Sequence, residues 1–480
     1  MCTGVVALKK NIAVILSGGA GSRLWPVSRV SEPKQFQVFT EATSLLSQTV
    51  QRADSLDDVD EILIVCSDAH EALVKKHATA FAKKPISYLL EPVARNTAAA
   101  LACAAKYLQA AYPLADVCMV VLPSDHHMQR SEEFALAISR ALKGARSGYL
   151  ITFGIAANKP ETGFGYLEMG DQLEIPGIYQ VKNFVEKPNS ERAMQMLTAG
   201  GFSWNSGMFV MRCTQFLEEL ERFEPRISHA CRDSVAARTQ RGGFITLGIA
   251  ALQECPSTSV DYAVFERSES VAMVSLQTKW TDLGSWAAVA DLHETYALSA
   301  SNKSIVVSVN ASQNYVQSSK TVAIVGVSDL VVIDTQDALL ISHRNETQSV
   351  REVVAFLNLQ QPEITTNYPK VRRPWGTYES IGQGLKHQIK HIVVEPGGRL
   401  SLQSHEHRAE HWVVVAGQAT ITVGDNTADY SAGQHVYIEK QQKHRLENHT
   451  LEPVTIVEVQ IGSYLGEDDI KRFDDVYGRV

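Results

Sequence analysis

A glycine-rich loop follows the first apolar run of the chain, residues 12–16. Its chemistry-bearing residues are Gly18, Gly19, Gly21, Arg23 and Lys34. Glycines let backbone N–H groups approach phosphate oxygens, and the two basic side chains supply compensating charge. The loop lacks the Gly-Lys-Ser/Thr of a Walker A motif, and Leu24 stands where a dinucleotide fingerprint needs glycine. It therefore predicts a phosphate site of another kind, with a merely tight strand-to-helix turn as the alternative.

Two aspartates stand where apolar runs end. Asp125 follows the run 117–122, and Asp282 lies in a Trp-Thr-Asp-Leu-Gly turn. A carboxylate at the carboxyl end of a strand can hold Mg²⁺ against a nucleotide phosphate. The two residues together predict a magnesium pair, although either one taken singly is more often a helix N-cap.

An acid and a base stand between these aspartates, at the end of the strand-like run 184–188. Lys187 could neutralise a sugar phosphate, while Glu186 could accept hydrogen bonds from sugar hydroxyls. A surface ion pair is the alternative interpretation of the same two residues.

Histidines are concentrated near the C-terminus. The chain has 15, of which eight fall in one stretch: His387, His391, His405, His407, His411, His435, His444 and His449. On a strand, residues two apart share a face, so Gln403 and His405 project together, and a returning chain would add Glu410 and His444. These nitrogen and oxygen ligands suit Zn²⁺ or another divalent metal. A solvated, histidine-rich strand pair is the alternative.

The surrounding pattern indicates which elements hold these residues. Up to about residue 290, short Val/Ile/Leu runs alternate with helix-length segments, which predicts βαβ units and a mostly parallel sheet. Ligands of such sheets lie beyond the carboxyl ends of the strands. Residues 304–341 carry closely spaced β runs, typical of a small β-solenoid, and residues 345–358 are predicted to form a helix. Residues 360–374 are predicted to be a linker, and the last hundred or so residues a small barrel.

Composition narrows the function classes. At ~150 residues per domain, 480 residues predict about three domains. A net charge of −8 argues against a nucleic-acid or anionic-membrane surface. Seven cysteines without a CxxC pair argue against a disulfide framework. We find neither a signal-peptide pattern nor an uninterrupted apolar run of ~18 residues, so we expect a cytoplasmic protein.

The first 290 residues resemble the sugar-nucleotide pyrophosphorylases, most closely the bacterial mannose-1-phosphate guanylyltransferases. The resemblance rests on residues 18–26, 33–36, 91–98, 123–126, 160–166, 184–188, 204–209 and 261–264. It implies transfer of GMP from GTP to mannose 1-phosphate with Mg²⁺. It also implies that Glu91, Arg95 and Asn96 face the nucleotide, and that Gly165 and Asn205 line the sugar pocket. Ala156 departs from the family, which often has proline there.

The resemblance also assigns roles to the charged residues of the first part. Lys187 holds the sugar phosphate, and Asp125 and Asp282 hold Mg²⁺. Arg23 stabilises the departing diphosphate, with Lys34 as a further basic residue of the loop.

Residues 370–480 resemble the cupin domain of type II phosphomannose isomerases, with Gln403 replacing the first cupin histidine. The implied second reaction interconverts mannose 6-phosphate and fructose 6-phosphate, with Arg408 and Arg472 facing phosphate or transition-state charge. The sequence departs from that pattern at Glu406 and at residues 439–441. A cupin kept only for structure or oligomer contacts, an iron cupin oxygenase and a sugar-binding scaffold are the alternatives.

These interpretations combine into an α/β fold class. A Rossmann-like, GT-A-like nucleotidyltransferase domain with a mixed sheet is expected over residues 1–290. A small β-helix-like domain with a closing helix is expected over residues 291–360, and an all-β cupin barrel over residues 361–480. We further expect a homodimer.

Overall fold

The computed structural model describes residues 8–19, 21–40, 43–129, 132–295 and 305–475. They fall into two compact units, one ending at Thr365 and the other beginning at Thr366. Within these ranges no helix is both long and apolar enough to cross a bilayer. The finer division of the first unit near residue 290 stays a prediction.

A large mixed sheet forms the centre of the first unit. The strands of this part are β1 (Leu8–Ser17), β2 (Glu61–Ser67), β3 (Ile86–Glu91), β4 (Ala115–Pro123), β5 (His127–Met128), β6 (Leu150–Ala156), β7 (Tyr166–Gln172), β8 (Ile178–Val185), β9 (Phe202–Arg212), β10 (Thr239–Arg241), β11 (Phe244–Thr246), β12 (Val271–Ser275) and β13 (Trp280–Thr281). The sheet order is β10-β11-β3-β2-β1-β4-β9-β6-β12-β8-β7, while β5 and β13 pair separately. Strands β11, β3, β2, β1 and β4 are parallel, and β9 runs antiparallel to β4, β6 and β7.

Helices cover both faces of this sheet. They are α1 (Leu45–Asp54), α2 (Glu71–Thr79), α3 (Asn96–Ala111), α4 (Glu132–Arg146), α5 (Ser190–Ala199), α6 (Cys213–Phe223), α7 (Pro225–Ala236) and α8 (Ile249–Gln253). Helix α9 (Trp286–Thr295) instead packs against the small β segment that follows it. The parallel strands are buried on both faces, which explains their unbroken Val/Ile/Leu runs. The alanines of α3 let this helix pack closely against α6 and α7.

A small β segment completes the first unit. Its elements are β14 (Val306–Val309), β15 (Tyr315–Gln317), β16 (Val322–Val325), β17 (Leu330–Asp334), β18 (Leu339–His343), α10 (Val350–Gln360) and α11 (Pro362–Thr366). The parallel pairs β14–β16 and β15–β17, without helices between them, are typical of a solenoid. Strand β15 was not predicted. The expected helix over 345–358 is a 3₁₀ turn (Arg344–Ser349) followed by α10.

The hydrophobic core of this small segment is shared with the predicted phosphate site. Leu24 and Trp25 of the glycine loop belong to one buried cluster with Leu283 and Trp286, which follow Asp282. Tyr315, Val331 and Ile333 of the small segment belong to the same cluster. The indole N–H of Trp286 also donates to the Trp25 carbonyl at 2.9 Å. The segment therefore positions both chain stretches that carry the site.

The second unit consists of two antiparallel sheets. Its strands are β19 (Lys370–Arg373), β20 (Gly376–Gly384), β21 (His387–Val394), β22 (Leu402–His405), β23 (Arg408–Ala416), β24 (Gln418–Val423), β25 (Asn426–Ser431), β26 (His435–Ile438), β27 (His444–Glu447), β28 (Val454–Gly462) and β29 (Ile470–Asp474). The sheet orders are β19-β20-β21-β28-β23-β26 and β25-β24-β27-β22-β29. The predicted fold class is confirmed. The boundary between the two units lies inside the predicted linker 360–374, but this stretch also contains α11 and β19.

Candidate active sites

The glycine loop begins where β1 ends, at the edge to which the parallel strands point. Gly18 and Gly19 are exposed there. Gly21 has a φ of +61°, and a Cβ at this position would lie only 2.5 Å from the Cβ of Lys34. Glycine is therefore required at position 21 both by the backbone conformation and by the close approach of Lys34.

Lys34 joins the two aspartates that the sequence singled out. Its ammonium, nearly buried, donates to the Asp125 carboxylate at 2.8 Å and also to the backbone carbonyl of Asp282. The Asp282 carboxylate accepts the N–H of Gly284 at 2.9 Å. Burial alone would raise the pKa of Asp125, but the charges of Lys34 and His126 outweigh it and lower that pKa. An ionised carboxylate thus lies beside a fixed cation at the strand edge.

A two-residue ladder fixes the spacing of these aspartates. Strand β5 follows Asp125 and pairs antiparallel with β13, which precedes Asp282. The indole N–H of Trp280 donates to Nδ1 of His126 at 3.3 Å. We did not predict this contact, because the two residues lie 154 positions apart.

The acid–base pair of the predicted sugar pocket lies beside the start of β7. The Lys187 ammonium contacts the Glu186 carboxylate; the lysine side chain is 51% exposed and that of Glu186 only 5%. A Cβ at Gly165 would lie 2.6 Å from Glu186 Oε2, so glycine makes room for this carboxylate. Lys187 therefore keeps half of its side chain open to an incoming anion.

Asn205 connects this pair to Asp261, an acid that was not among the predicted site residues. The Asn205 backbone N–H donates to the Gly165 carbonyl at 2.8 Å, and its Nδ2 donates to Asp261 at 3.0 Å. The Thr152 hydroxyl donates to Asn205 Oδ1 at 2.8 Å, which fixes the orientation of the amide. Burial and the neighbouring Glu186 charge raise the pKa of Asp261 to about 7. Asp261 belongs to the motif at residues 261–264, one of those that carry the resemblance described above. Its place in that motif is the sequence feature that could have identified it as a site residue.

The predicted nucleotide segment starts at the end of β3. Glu91 is buried there, and burial raises the pKa of its carboxyl to about 8. The Arg95 guanidinium donates to the carbonyls of Leu252 and Gln253 at the end of α8. Asn96 has a φ of +63°, and its side-chain carbonyl accepts the N–H of Thr97. The contacts of Arg95 and Asn96 shape the turn before α3.

We expect Glu91→Gln to remove a pH dependence of stability. The folded chain keeps the Glu91 proton up to about pH 8, whereas the ordinary pKa of the group is 4.5. Between these values Glu91 holds more of its proton in the folded state, so its contribution to the free energy of unfolding of the wild type falls as pH rises, by at most ~1.4 kcal/mol per pH unit. Urea denaturation at about pH 5 and about pH 8 measures both slopes. Equal slopes in the two proteins would contradict the assignment.

A cavity of about 830 Å³ adjoins these groups. Arg23 and Asp282 line it, together with the aromatic side chains of Phe164, Trp204 and Trp280. The rings of Phe164 and Trp204 are 5.3 Å apart and those of Phe164 and Trp280 are 5.2 Å apart. Such a cavity can hold a small polar molecule against an apolar wall.

A second cluster lies inside the barrel of the second unit. His405 Nε2 is 3.1 Å from Glu410 Oε1, and His444 Nε2 is 3.6 Å from Glu410 Oε2. All three side chains are buried, and their candidate ligand atoms lie within 4.8 Å of one another. His444 Nδ1 bonds to the Gln442 carbonyl, which leaves Nε2 facing the cluster without a hydrogen-bond partner among the described residues. Two imidazole nitrogens and a carboxylate that converge in this way fit a divalent metal.

Electrostatics keep these groups in the states that metal ligands need. Burial alone would raise the pKa of Glu410, but the hydrogen bond from His405 and the charge of Arg408 hold that pKa well below its usual value. Burial lowers the pKa of His444 despite the nearby carboxylate. An ionised Glu410 and a neutral His444 are the forms that coordinate a metal.

Gln403 and Arg472 lie beside this cluster on paired strands. Gln403 is opposite His444 in one ladder and opposite Arg472 in the other. Its Nε2 is 3.5 Å from His405 Nε2. The Nε of Arg472 is buried and has no hydrogen-bond partner within the part of the chain that the structure describes. Both residues therefore lie on strands that border the cluster.

Arg408 lies in the interior of the barrel. Its side chain is 1% exposed, and its guanidinium donates to Glu410 at 3.1 Å and to the Gly466 carbonyl at 2.8 Å. Trp412 and Gln460 donate to the same carboxylate at 3.0 and 3.2 Å. These contacts give Arg408 the geometry of a group that holds Glu410 in place. Trp412 and Gln460 are neighbours that we did not predict.

The departures from the cupin pattern lie in two turns that contact each other, one after β22 and one after β26. Gln441 has a φ of +62°, a conformation in which glycine is favoured. Its backbone N–H donates to the His405 carbonyl at 2.6 Å. Glu406 is exposed, and its carboxylate accepts from the Gln441 amide at 3.4 Å. The turn at residues 439–441 thus keeps its contact with the strand that carries His405.

Family models match nearly the whole chain. The nucleotidyl transferase family matches residues 12–299, a MannoseP isomerase/GMP-like beta-helix domain matches residues 304–357, and a mannose-6-phosphate isomerase C-terminal domain matches residues 360–475. Mannose-1-phosphate guanylyltransferase of Escherichia coli K12 is 38% identical over 479 residues, covering 99% of this chain and 100% of the relative. This chain belongs to the mannose-1-phosphate guanylyltransferase family. The resemblance found in the sequence is confirmed.

Other relatives also match over nearly the whole chain. Alginate biosynthesis protein AlgA of Pseudomonas aeruginosa is 42% identical, covering 98% of this chain and 97% of its own. Xanthan biosynthesis protein XanB of Xanthomonas campestris pv. campestris is 40% identical, covering 98% and 99%. The crystal structure of mannose-1-phosphate geranyltransferase from Thermus thermophilus superposes with a TM-score of 0.62 at 28% identity, over 73% of this chain and 99% of that one.

Proposed function

We propose that this chain transfers GMP from GTP to mannose 1-phosphate, giving GDP-mannose and diphosphate. The observation that carries the proposal is the Lys34 ammonium, which joins the Asp125 carboxylate to the Asp282 turn beside the glycine loop. A phosphate oxygen of the sugar phosphate forms a bond to the α-phosphorus of GTP, and the bond from that phosphorus to the diphosphate breaks. Asp125 and Asp282 would hold Mg²⁺, which neutralises charge on the α-phosphate when bound.

The chain's own cations have separate tasks in this proposal. Lys187, half exposed beside Glu186 and Asn205, binds the phosphate of the sugar. Arg23 lines the cavity next to Asp282 and stabilises the negative charge that develops on diphosphate. The buried Glu91 and the turn at Arg95 and Asn96 form the nucleotide side. No covalent intermediate is required.

The direct test is an assay of the purified full chain with mannose 1-phosphate and, in turn, GTP, dTTP, UTP and ATP. We expect diphosphate release and a sugar nucleotide only, or by far fastest, with GTP. Absence of product with GTP and Mg²⁺ would refute the proposed activity.

We expect Lys187→Ala to separate the two substrates. The KM for mannose 1-phosphate should rise by more than ~tenfold, because an exposed cation that binds its phosphate is lost, while the KM for GTP changes little. Steady-state kinetics with each substrate varied in turn measure both constants. Lys182→Ala, which removes an exposed lysine of the preceding strand, is the matched control. Equal changes of both KM values in Lys187→Ala would contradict the assignment.

A second activity is favoured by the cluster of His405, Glu410 and His444. We propose that the second unit interconverts mannose 6-phosphate and fructose 6-phosphate. Gln403, His405, Glu410 and His444 would hold Zn²⁺ or another divalent metal, which stabilises an enediolate when bound. Arg472 would face the substrate phosphate, and Arg408 would hold Glu410 in its ionised form. The homodimer and the cytoplasmic location expected from the sequence stay predictions.

A further inference from the structure

An ion pair between a fully buried arginine and a partly exposed aspartate connects the glycine-loop region to the small β segment. Arg29 NH1 and NH2 donate to the two carboxylate oxygens of Asp337, each at 2.6 Å. The two residues are 308 positions apart, and none of the Arg29 side chain is exposed. Thr335 donates to the same carboxylate at 3.1 Å, which fixes its orientation in the turn between β17 and β18. Bidentate pairs of this kind are strong and geometrically specific.

Arg29 stands in the chain between the two basic residues of the proposed phosphate site. It follows Arg23 by six positions and precedes Lys34 by five. Its Nε donates to the Pro26 carbonyl at 3.1 Å. Its backbone pairs with Glu32, the residue from which the chain passes through Pro33 to Lys34. Because the guanidinium is fully buried, Arg29 acts on the site through its backbone rather than by contact with a substrate.

We propose that Asp337 is a positioning residue for guanylyl transfer, which through Arg29 holds Arg23 and Lys34 in the geometry that binds the triphosphate of GTP. This inference rests on the proposed function. Catalytic groups must be held to within ~0.5 Å, and a shift of ~1 Å can reduce activity ~100-fold. The small β segment thereby acts on the chemistry through the ion pair of Asp337 with Arg29.

The sugar pocket is held by a different set of contacts. Gly165 and Asn205 are fixed by their own hydrogen bond and by the bond from Thr152, on and beside strands β6, β7 and β9. These contacts all lie within the large sheet and its loops. Loss of the Asp337 carboxylate should therefore affect the nucleotide and diphosphate side of the reaction selectively.

The test is the kinetics of Asp337→Asn in the full chain. We expect the KM for GTP, and the KM for diphosphate in the reverse reaction, to rise at least ~tenfold, with the KM for mannose 1-phosphate within ~twofold of the wild type. The matched control is Asp334→Asn. Asp334 lies in the same segment and bonds to Lys320 and Ser318 at 2.8 Å, both within that segment. We expect this control to keep wild-type KM values.

A second variant keeps the inference testable if Asp337→Asn does not fold, as judged by its thermal unfolding curve. Asp337→Glu retains the charge but displaces it by one methylene. We expect the KM for GTP and the KM for diphosphate to rise less than in Asp337→Asn, with no change in the KM for mannose 1-phosphate. Equal changes of all KM values, or the same changes in Asp334→Asn, would overturn the inference. A wild-type chain without guanylyl transfer would instead refute the proposed function.

Discussion

Replacing Asp125 by Asn should abolish guanylyl transfer, with kcat falling by at least ~10³-fold. The carboxylate is the ionised partner of Lys34 at 2.8 Å, and it is one of the two oxygen donors proposed for Mg²⁺. An amide of the same shape keeps the packing of this side chain. It lacks the negative charge that pairs with the Lys34 ammonium and that would bind Mg²⁺. The reacting phosphates are anionic, so the loss of this organisation raises the barrier to the chemical step rather than only weakening binding.

The measurement is diphosphate release at saturating GTP and mannose 1-phosphate over a range of Mg²⁺ concentrations. Asp116→Asn is the matched control, because Asp116 lies at the opposite end of β4 and pairs with Arg146 and Arg212 at 2.7 and 2.8 Å. That variant should lose stability but keep its kcat. Activity of Asp125→Asn within ~tenfold of the wild type would remove Asp125 from the catalytic set.

The residues of the first site can be located from the sequence because each is marked by its immediate neighbours. Glycines after a strand and aspartates at strand ends are local patterns, and their common edge follows from parallel strand topology. The pairing of Lys34 with Asp125 and of Arg29 with Asp337 spans 91 and 308 positions. No periodicity encodes such contacts, since they depend on how separate segments pack.

The two-residue period of a strand predicts only part of the second site. It places Gln403 and His405 on one face of a strand. The same period places Arg408, Glu410 and Trp412 together in the barrel interior, but we did not predict that these three side chains are in contact. The contribution of Gln460 requires the register between β23 and β28, in which it lies opposite Glu410. The sequence alone does not indicate which residues of two strands pair when those residues lie 50 positions apart.

The predicted linker contains the boundary between the two units, but the local pattern did not predict the secondary structure there. Residues 360–374 contain three prolines, and proline is common in linkers. Pro362, however, opens α11, a position where its missing N–H costs nothing. Carbonyls of that helix then accept bonds from the Trp25 indole and from the backbone of Val30. The segment therefore takes part in holding the loop region.

The second large effect is expected for Glu410→Gln, which should lose the metal and reduce isomerase activity by at least ~10³-fold while guanylyl transfer stays unchanged. Glu410 is the acidic member of the cluster, and two imidazoles and an amide cannot replace its negative charge as a metal ligand. The carboxylate also faces the buried Arg408, so its loss should lower the free energy of unfolding by about 3–5 kcal/mol. His444→Gln removes a ligand but leaves the Arg408–Glu410 pair intact, and therefore separates metal loss from instability.

The decisive measurement combines elemental analysis of the dialysed protein with both activity assays on the same sample. Glu406→Gln is the matched control, since this neighbouring acid is exposed and should keep the metal content of the wild type. A Glu410→Gln protein that retains stoichiometric metal would remove Glu410 from the ligand set. Loss of guanylyl transfer in parallel with isomerase activity would point to general unfolding instead, and the His444→Gln variant would then decide the ligand assignment. If Glu410→Gln loses the metal and the isomerase activity but keeps guanylyl transfer, the two activities belong to two independent sites in one chain.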